Sequence, residues 1–378
     1  MNKQSIFIVG LTALILLLTS ACTETSKQKE ETTFTDKQLG QMLVVGFRGT
    51  KVNSESLIVQ NIKNYNIGGV ILYDLDFELE EFGRNISDPD QLLKLNTALV
   101  GYSSTPPIIS VENDGSLQSP LNDLYSEWNN IFQNNQFSDT NQVKEYARNF
   151  AQEFMVVGLN SNFHPRLDLK TPTNNAPVPG LISQNPEKTT EIANLILDEY
   201  DTEKLLSVPK YFPGYSSDYH PRDSIDNISQ NWTEQFLIPY RNLFDTRAIG
   251  GVQISHSTNT NIDADWPGSL SHKTVSGLLR DSLGFEGVVF SDDLQKPIIT
   301  SNFDLETSIE KSINAGVDIL VFGNNHQYDA EIVSKVIQII QKLLREGKIQ
   351  PETIQSALER IDQLKQDVIA ELCTCLTT

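Results

Sequence analysis

Two hydrophobic rhythms alternate along this chain. Short runs of consecutive apolar residues recur at intervals, separated by longer stretches in which apolar residues return every three or four positions. The short runs predict strands at 42–47, 69–73, 108–112, 160–164, 205–211, 251–256, 287–292 and 318–323. Continuous rather than alternating apolar character is expected of strands covered on both faces, as in parallel sheets. The periodic stretches predict amphipathic helices at 142–157, 186–200, 272–283, 305–315 and 330–345. In the third of these, Val275, Leu278, Leu279 and Leu283 share a face, Ser271 is a candidate N-cap and Gly284 a C-terminal stop. A final helix from Pro351 to near Leu372 would pack outside the sheet.

Strand alternating with helix implies right-handed crossovers and a parallel α/β fold. Eight such units predict closure into a (β/α)8 barrel, the TIM-barrel architecture, as one domain over 36–372 with the extra C-terminal helix. An open doubly wound sheet is the alternative. No internal repeat or interdomain linker interrupts the pattern.

The amino terminus departs from that rhythm. Lys3, an apolar run over 6–18 and the small residues Thr19-Ser20-Ala21 read as an export signal over 1–21, and Cys22 directly follows. This arrangement resembles a bacterial lipoprotein signal, with Thr19 where Leu is usual, and it implies lipidation of Cys22. A cleaved signal without lipidation is the alternative. Residues 22–35, rich in Thr, Glu, Lys and Ser, cannot bury a core and read as a tether. The expected location is the cell envelope, lipid-anchored to a membrane and facing outside the cytoplasm. Formal net charge is −20, which argues against a nucleic-acid partner. Cys22, Cys373 and Cys375 are the only cysteines, so no disulfide framework accompanies the export signal, and 373–378 reads as a terminal tail.

Polar residues gather where the predicted strands end: Arg48, Asp74, Glu112, His164, Asp168, Lys210, His256, Asp292 and Asn324. In a closed barrel those ends share the catalytic face. His164, His220, His256 and His326 fall near it, but no ligand spacing supports a metal site, and no cofactor is expected.

Gly284-Phe-Glu-Gly-Val-Val-Phe-Ser-Asp-Asp293 is the most specific segment. With 38–47, 67–73, 84–89, 158–168 and 315–325, it resembles glycoside hydrolase family 3, in particular the single-domain bacterial β-N-acetylglucosaminidases. The resemblance implies Asp292 as nucleophile of a retaining exo-glycosidase acting on cell-wall or chitin-derived carbohydrate. The family's K-H-F-P-G-H-G signature and later D-S-H correspond to Lys210-Tyr-Phe-Pro-Gly-Tyr215 and Asp218-Tyr-His220. His220 would then be general acid and base, oriented by Asp218. An imidazole with an ordinary pKa near 6.5 suits proton transfer near neutrality. Glu112, Lys210, Tyr211, His256 and Asp74 are the expected sugar-binding residues.

Departures from the family pattern accompany this resemblance. Where the family shows D-Q-E-G-G-R-V-Q-R, the chain reads Glu112-Asn-Asp-Gly-Ser-Leu-Gln-Ser119, so the carboxylate is longer and both arginines are gone. A further sugar-binding Arg expected near 180–182 is also missing, and Tyr211 and Tyr215 replace two histidines. Each lost charged contact costs on the order of 1.5–3 kcal/mol. Stacking and hydroxyl donation by the two tyrosines would offset part of that loss. The alternative to a diverged enzyme is a non-catalytic envelope lipoprotein that binds glycan or protein on an inherited barrel.

Overall fold

Each apolar run becomes a strand of one parallel sheet. The computed structural model describes residues 33–114, 120–121, 139–169, 180–215 and 227–369. The export signal, Cys22, nearly all of the tether, Asp218, His220, Cys373 and Cys375 lie outside the described residues. The strands are β1 (Leu43–Val45), β2 (Gly69–Ile71), β5 (Ile108–Val111), β6 (Ser161–Asn162), β7 (Leu206–Ser207), β8 (Gly251–Ile254), β9 (Val288–Asp293) and β10 (Ile319–Phe322). A small antiparallel hairpin, β3 (Leu75–Asp76) and β4 (Glu81–Phe82), follows β2. Every residue of the eight sheet strands is buried, as helices outside and side chains inside the ring require.

Sheet order is β7-β6-β5-β2-β1-β10-β9-β8. The two ends meet through the segment after β7. Phe212 N–H donates to Gln253 O at 3.0 Å, Gln253 N–H to Pro209 O at 3.0 Å and Ser255 N–H to Phe212 O at 2.8 Å. Those bonds close the barrel and exclude the open-sheet alternative. β6 and β7 are short, but the ladder continues beyond them through Leu206 N–H to Asn160 O and Val208 N–H to Asn162 O. Two buried amides reinforce the β5–β6 seam. Asn160 accepts from Ile109 N–H at 2.7 Å and donates to Pro107 O at 2.9 Å, while Asn162 accepts from Asn113 N–H and donates to Asn113 O, both at 2.9 Å.

The helices follow the periodic stretches. Leu305–Ala315 matches its predicted limits, begins on Asp304, whose carboxylate accepts from Thr307 N–H at 2.7 Å, and ends at Gly316 with φ of 104°. Lys273–Ser282 winds as a π-helix rather than an α-helix; Ser271 Oγ accepts from Thr274 N–H at 3.1 Å and Gly284 stops it at φ of 70°. Three further helices, Leu57–Tyr65, Pro89–Tyr102 and Ile238–Thr246, fill gaps for which no helix was predicted. The second of them does carry a local start signal, Asp88 capping Gln91 N–H at 2.8 Å ahead of Pro89. The β3–β4 hairpin also went unpredicted. It is pinned to the barrel rim by Asn325, which accepts from Phe77 N–H and donates to Leu75 O at 3.0 Å each, and by Asp76 pairing with Arg48 and Arg84.

Pro351–Leu364 continues as a π-helical turn to Ile369. Arg360 from this element and Arg280 from the π-helix meet on Asp318, at 2.8 Å and 2.7 Å, and the same carboxylate accepts from Val289 N–H at 2.8 Å. One buried anion therefore ties two outer helices to the β9–β10 seam. Removing it would take the shared carboxylate from two partly buried guanidinium groups and leave the Val289 N–H without this acceptor. Asp318→Ala is expected to lower unfolding free energy by about 3–5 kcal/mol, measured by urea denaturation; a loss below about 1 kcal/mol, typical of a surface pair, would contradict this account.

Candidate active site

A break in register aims the key carboxylate. On β10, Ile319 pairs with Phe290 and Val321 with Asp293, so β9 carries one extra residue across the interval. This is a β-bulge at Ser291–Asp292, a device that re-aims a side chain and leaves a ladder group unpaired. Ser291 repairs the gap, its Oγ accepting from Val321 N–H at 2.9 Å. Asp292 thereby stands at the carboxyl end of β9 and is 2% exposed.

Its charge has a specific partner. Lys296, four residues on, places Nζ 2.8 Å from both Oδ1 and Oδ2 of Asp292, and Oδ1 also accepts from Asp293 N–H at 2.7 Å. Burial by itself would raise the Asp292 carboxyl, but the Lys296 ammonium, together with His256 and the Asp293 N–H, outweighs it and holds the group below the ordinary carboxylate range. Lys296 is in turn pushed up, burial being overcome by Asp292, then Glu112 and Tyr215. Asp293 behaves oppositely: burial raises it, although Gly323 N–H and Gln295 N–H donate to Oδ1 at 2.9 and 3.0 Å. The adjacent carboxylates thus occupy different electrostatic environments, with ionisation favoured more strongly in the one at the bulge.

His256, read from the sequence as lining the sugar pocket or as a buried structural histidine, is buried and braces this strand end. Nε2 must donate to Asp293 O at 2.9 Å, because a carbonyl only accepts, so Nδ1 accepts from the Ser269 hydroxyl at 2.6 Å. Burial lowers its pKa, which keeps the ring neutral and the tautomer fixed.

The opposite wall rises from β5 and the closure segment. Glu112 follows β5 and accepts from Lys210 Nζ at 2.7 Å and from Tyr211 Oη at 2.5 Å. Lys210 is fully buried and reaches Asp114 at 3.2 Å as well. Tyr211 lies 4.9 Å from Tyr215, centroid to centroid. Arg166 stands over the Tyr211 ring at 5.3 Å and is held by Asp168, Nη2 to Oδ2 at 2.7 Å and Nε to Oδ1 at 3.1 Å. Gly180, with φ of 81°, allows this packing, since a β-carbon there would sit 3.0 Å from Arg166 Cδ and from Asp114 O. The chain therefore keeps a guanidinium in this cluster although the arginines expected at 115–119 and 180–182 are absent.

Lys296 interacts electrostatically with both Asp292 and Glu112, and Tyr211 with both Glu112 and Asp292, so the two walls lie within electrostatic reach of each other. Asp292, Glu112, Lys210 and Tyr211 are brought together as the sequence implied. Asp74 sits half-buried on the turn into the hairpin, its carbonyl accepting from Arg84 N–H at 2.9 Å. His164, expected near the mouth, is buried against Tyr200, its Nδ1 3.1 Å from the phenol oxygen, and lies within electrostatic reach of Asp114 and Lys210. Asp218 and His220 lie outside the described residues; the loop that carries them leaves at Tyr215, beside Tyr211, and resumes at Asn227, which bridges to Thr258 after β8. Lys296, Arg166 and Asp114 were missed. For Lys296 the only available signal was its spacing of four residues from Asp292, and that spacing does not itself imply contact across a turn.

Ser291→Ala would leave the Val321 N–H buried without its partner. The expected cost is about 1–3 kcal/mol in unfolding free energy, read by chemical denaturation, with amide exchange at Val321 accelerated relative to neighbouring β10 amides. Unchanged protection at Val321 would show that the hydroxyl does not hold the bulge.

Comparison with known proteins agrees with this architecture. A β-hexosaminidase from Nitrosomonas eutropha is 25% identical over 282 residues, covering 71% of this chain and 77% of that protein. Among solved structures, the fungal multi-domain GH3 β-N-acetylglucosaminidase with a GCN5-related glucosamine N-acetyltransferase region superposes with a TM-score of 0.79 at 21% identity, over 90% of this chain and 40% of that one. The family 3 β-N-acetylglucosaminidase from Paenibacillus sp. FPU-7 gives 0.74 at 20% identity, over 92% of this chain and 64% of that one. This chain therefore spans less than two thirds of either solved structure. The family model described as "Glycosyl hydrolase family 3 N terminal domain" matches residues 34–364, and the chain belongs to glycosyl hydrolase family 3.

Proposed function

We infer that the chain is a retaining, exo-acting glycoside hydrolase, a β-N-acetylhexosaminidase working on cell-wall or chitin-derived oligosaccharides from a lipid anchor at Cys22. The observation that carries this reading is the buried Asp292 carboxylate, held ionised at the barrel mouth opposite the Glu112, Lys210 and Tyr211 wall.

In the first step a lone pair of Asp292 Oδ2 forms a bond to the anomeric carbon. The glycosidic bond breaks, and its electron pair leaves with the aglycone oxygen, which takes a proton from His220. In the second step His220 removes a proton from water, the water oxygen bonds to the anomeric carbon, and the carboxylate departs. Lys210 is a donor anchored by Glu112 and Asp114, and its three N–H bonds serve to fix the carboxylates as much as the sugar. Tyr211 and Tyr215 offer aromatic faces for a pyranose ring, with Arg166 behind them. This arrangement differs from an arginine-lined subsite and favours a shifted sugar preference. No observation favours the non-catalytic alternative.

The wild-type chain is expected to release the aryl alcohol from an aryl N-acetyl-β-glucosaminide, and Asp292→Ala to reduce turnover by about 10³-fold or more. No release from any aryl glycoside, or equal rates in Asp292→Ala, would refute the glycosidase reading. For the anchor, Cys22→Ala should move the protein from the membrane fraction to the soluble fraction of its native host. Unchanged membrane partition would argue against lipidation.

A further inference from the structure

The contact between Lys296 and Asp292 has a consequence for each half of the reaction. Lys296 lies on the turn that leaves β9, its N–H donating to Asp293 O at 3.0 Å. The turn delivers Nζ to both oxygens of Asp292, while the Asp292 side chain is only 3% exposed and that of Lys296 29%. Oδ1 has a second donor in Asp293 N–H, whereas among the described residues Oδ2 accepts from the ammonium alone. Oδ2 is therefore the oxygen that becomes available once the ammonium shifts, and the ammonium lies within hydrogen-bond reach of the atoms that react.

We propose that Lys296 is a further catalytic residue of this centre, an ammonium that keeps Asp292 anionic for attack and receives the carboxylate when the glycosyl-enzyme is hydrolysed. The proposal rests on Asp292 being the nucleophile. When Oδ2 bonds to the anomeric carbon, the carboxylate loses its charge and the ammonium loses its counter-ion. Glu112, already within the electrostatic reach of Lys296, is the anion that remains beside it. When water attacks, the electron pair of the carbon–Oδ2 bond returns to the carboxylate, and a hydrogen bond from Nζ stabilises that developing charge. A cation at this place weakens the nucleophile slightly and improves the leaving group, so it favours the second step over the first.

The other titratable groups facing Asp292 do not duplicate this function. Among the described residues they are Asp293 on the same strand, neutral His256 after β8, Tyr73 after β2, Glu112 after β5, and Tyr211 and Tyr215 on the closure segment. None of these supplies a positive charge at neutral pH, and Lys210, the cation of the opposite wall, gives its ammonium to Glu112 and Asp114 rather than to Asp292. Without Lys296, burial and the neighbouring carboxylates would both favour the protonated acid.

The test compares wild type, Lys296→Met, Lys296→Arg and Asp292→Ala on an aryl N-acetyl-β-glucosaminide across pH, with steady-state and rapid-mixing measurements. Removing the ammonium raises the pKa of the nucleophile, so the acid limb of kcat/KM should move to higher pH in Lys296→Met. A shift of one pH unit or more, roughly a tenfold loss at a pH below the limb, is the expected size. Above the limb, kcat should fall more than kcat/KM, with a burst of aryl alcohol equal to the enzyme concentration and a glycosylated Asp292 peptide detected by mass spectrometry. Lys296→Arg, which retains the charge, should restore the wild-type acid limb, which a simple folding defect in Lys296→Met would not predict. A Lys296→Met enzyme with an unmoved acid limb and no burst overturns the proposal. If that result accompanies an inactive Asp292→Ala, only the role of Lys296 fails; if Asp292→Ala is as active as wild type, the nucleophile assignment fails with it.

Discussion

Closure of the strand ring through residues 209–212 is the constraint on which everything else in this molecule depends. The main-chain bonds of Pro209 and Phe212 to Gln253 and Ser255 join the last free edge to β8. Lys210 and Tyr211 sit between those bonded residues, so the segment that seals the barrel also supplies one wall of the site. Were the edge open, its main-chain groups would face solvent and the two side chains would lack a fixed direction. Parallel strand direction then gathers the ends of β5, β8 and β9 on the same face.

Electrostatics at that face follow from burial. Asp292, Asp293, Asp114, Asp168, Lys210 and Arg166 are all less than a tenth exposed, and Glu112 and Lys296 are partly so. Charges this poorly solvated persist only when paired. The pairing is mixed rather than binary: Lys210 serves Glu112 and Asp114, Arg166 serves Asp168 while covering Tyr211, and Lys296 serves Asp292. Asp293 is the exception. It has main-chain donors and, among the described residues, no cation within bonding distance, and burial shifts it toward the acid form. Two consecutive aspartates therefore sit in different electrostatic environments, one held below and the other raised above the ordinary carboxylate range.

The departures from the family pattern seen in the sequence include residues of the Glu112, Lys210 and Tyr211 wall. The family's expected arginines are gone, yet Arg166 enters the same cluster from the segment after β6, with Gly180 clearing space for it. A guanidinium reached by a different route can preserve the charge balance of a site while altering which hydroxyls or acyl groups it can meet. Its carboxylate partner, Asp168, is buried, so this arginine contributes shape and aromatic stacking more than free hydrogen-bonding capacity.

Hydrophobic periodicity was enough to count and order the strands, place most helices and identify the residues at strand ends, because these depend on local pattern and on burial of both sheet faces. The Ser-Asp-Asp segment was visible as a buried apolar run ending in carboxylates, but a strand followed by a polar turn reads the same way, and its significance came from the family resemblance carried by the other motifs. The β3–β4 hairpin was not legible, since its two-residue strands are held by Asn325 and by arginines from distant segments rather than by their own pattern. Nor was the bulge at Asp292, which is a difference in count between β9 and β10 that appears only when the strands pair. The role of His256 likewise depended on which atoms Ser269 and Asp293 bring to its ring. Thus the amino-acid sequence alone determined the repertoire of strands and of ionisable groups. The tertiary structure decided which of those groups meet, because register, bulges and turn direction are settled by contacts between residues far apart in the chain.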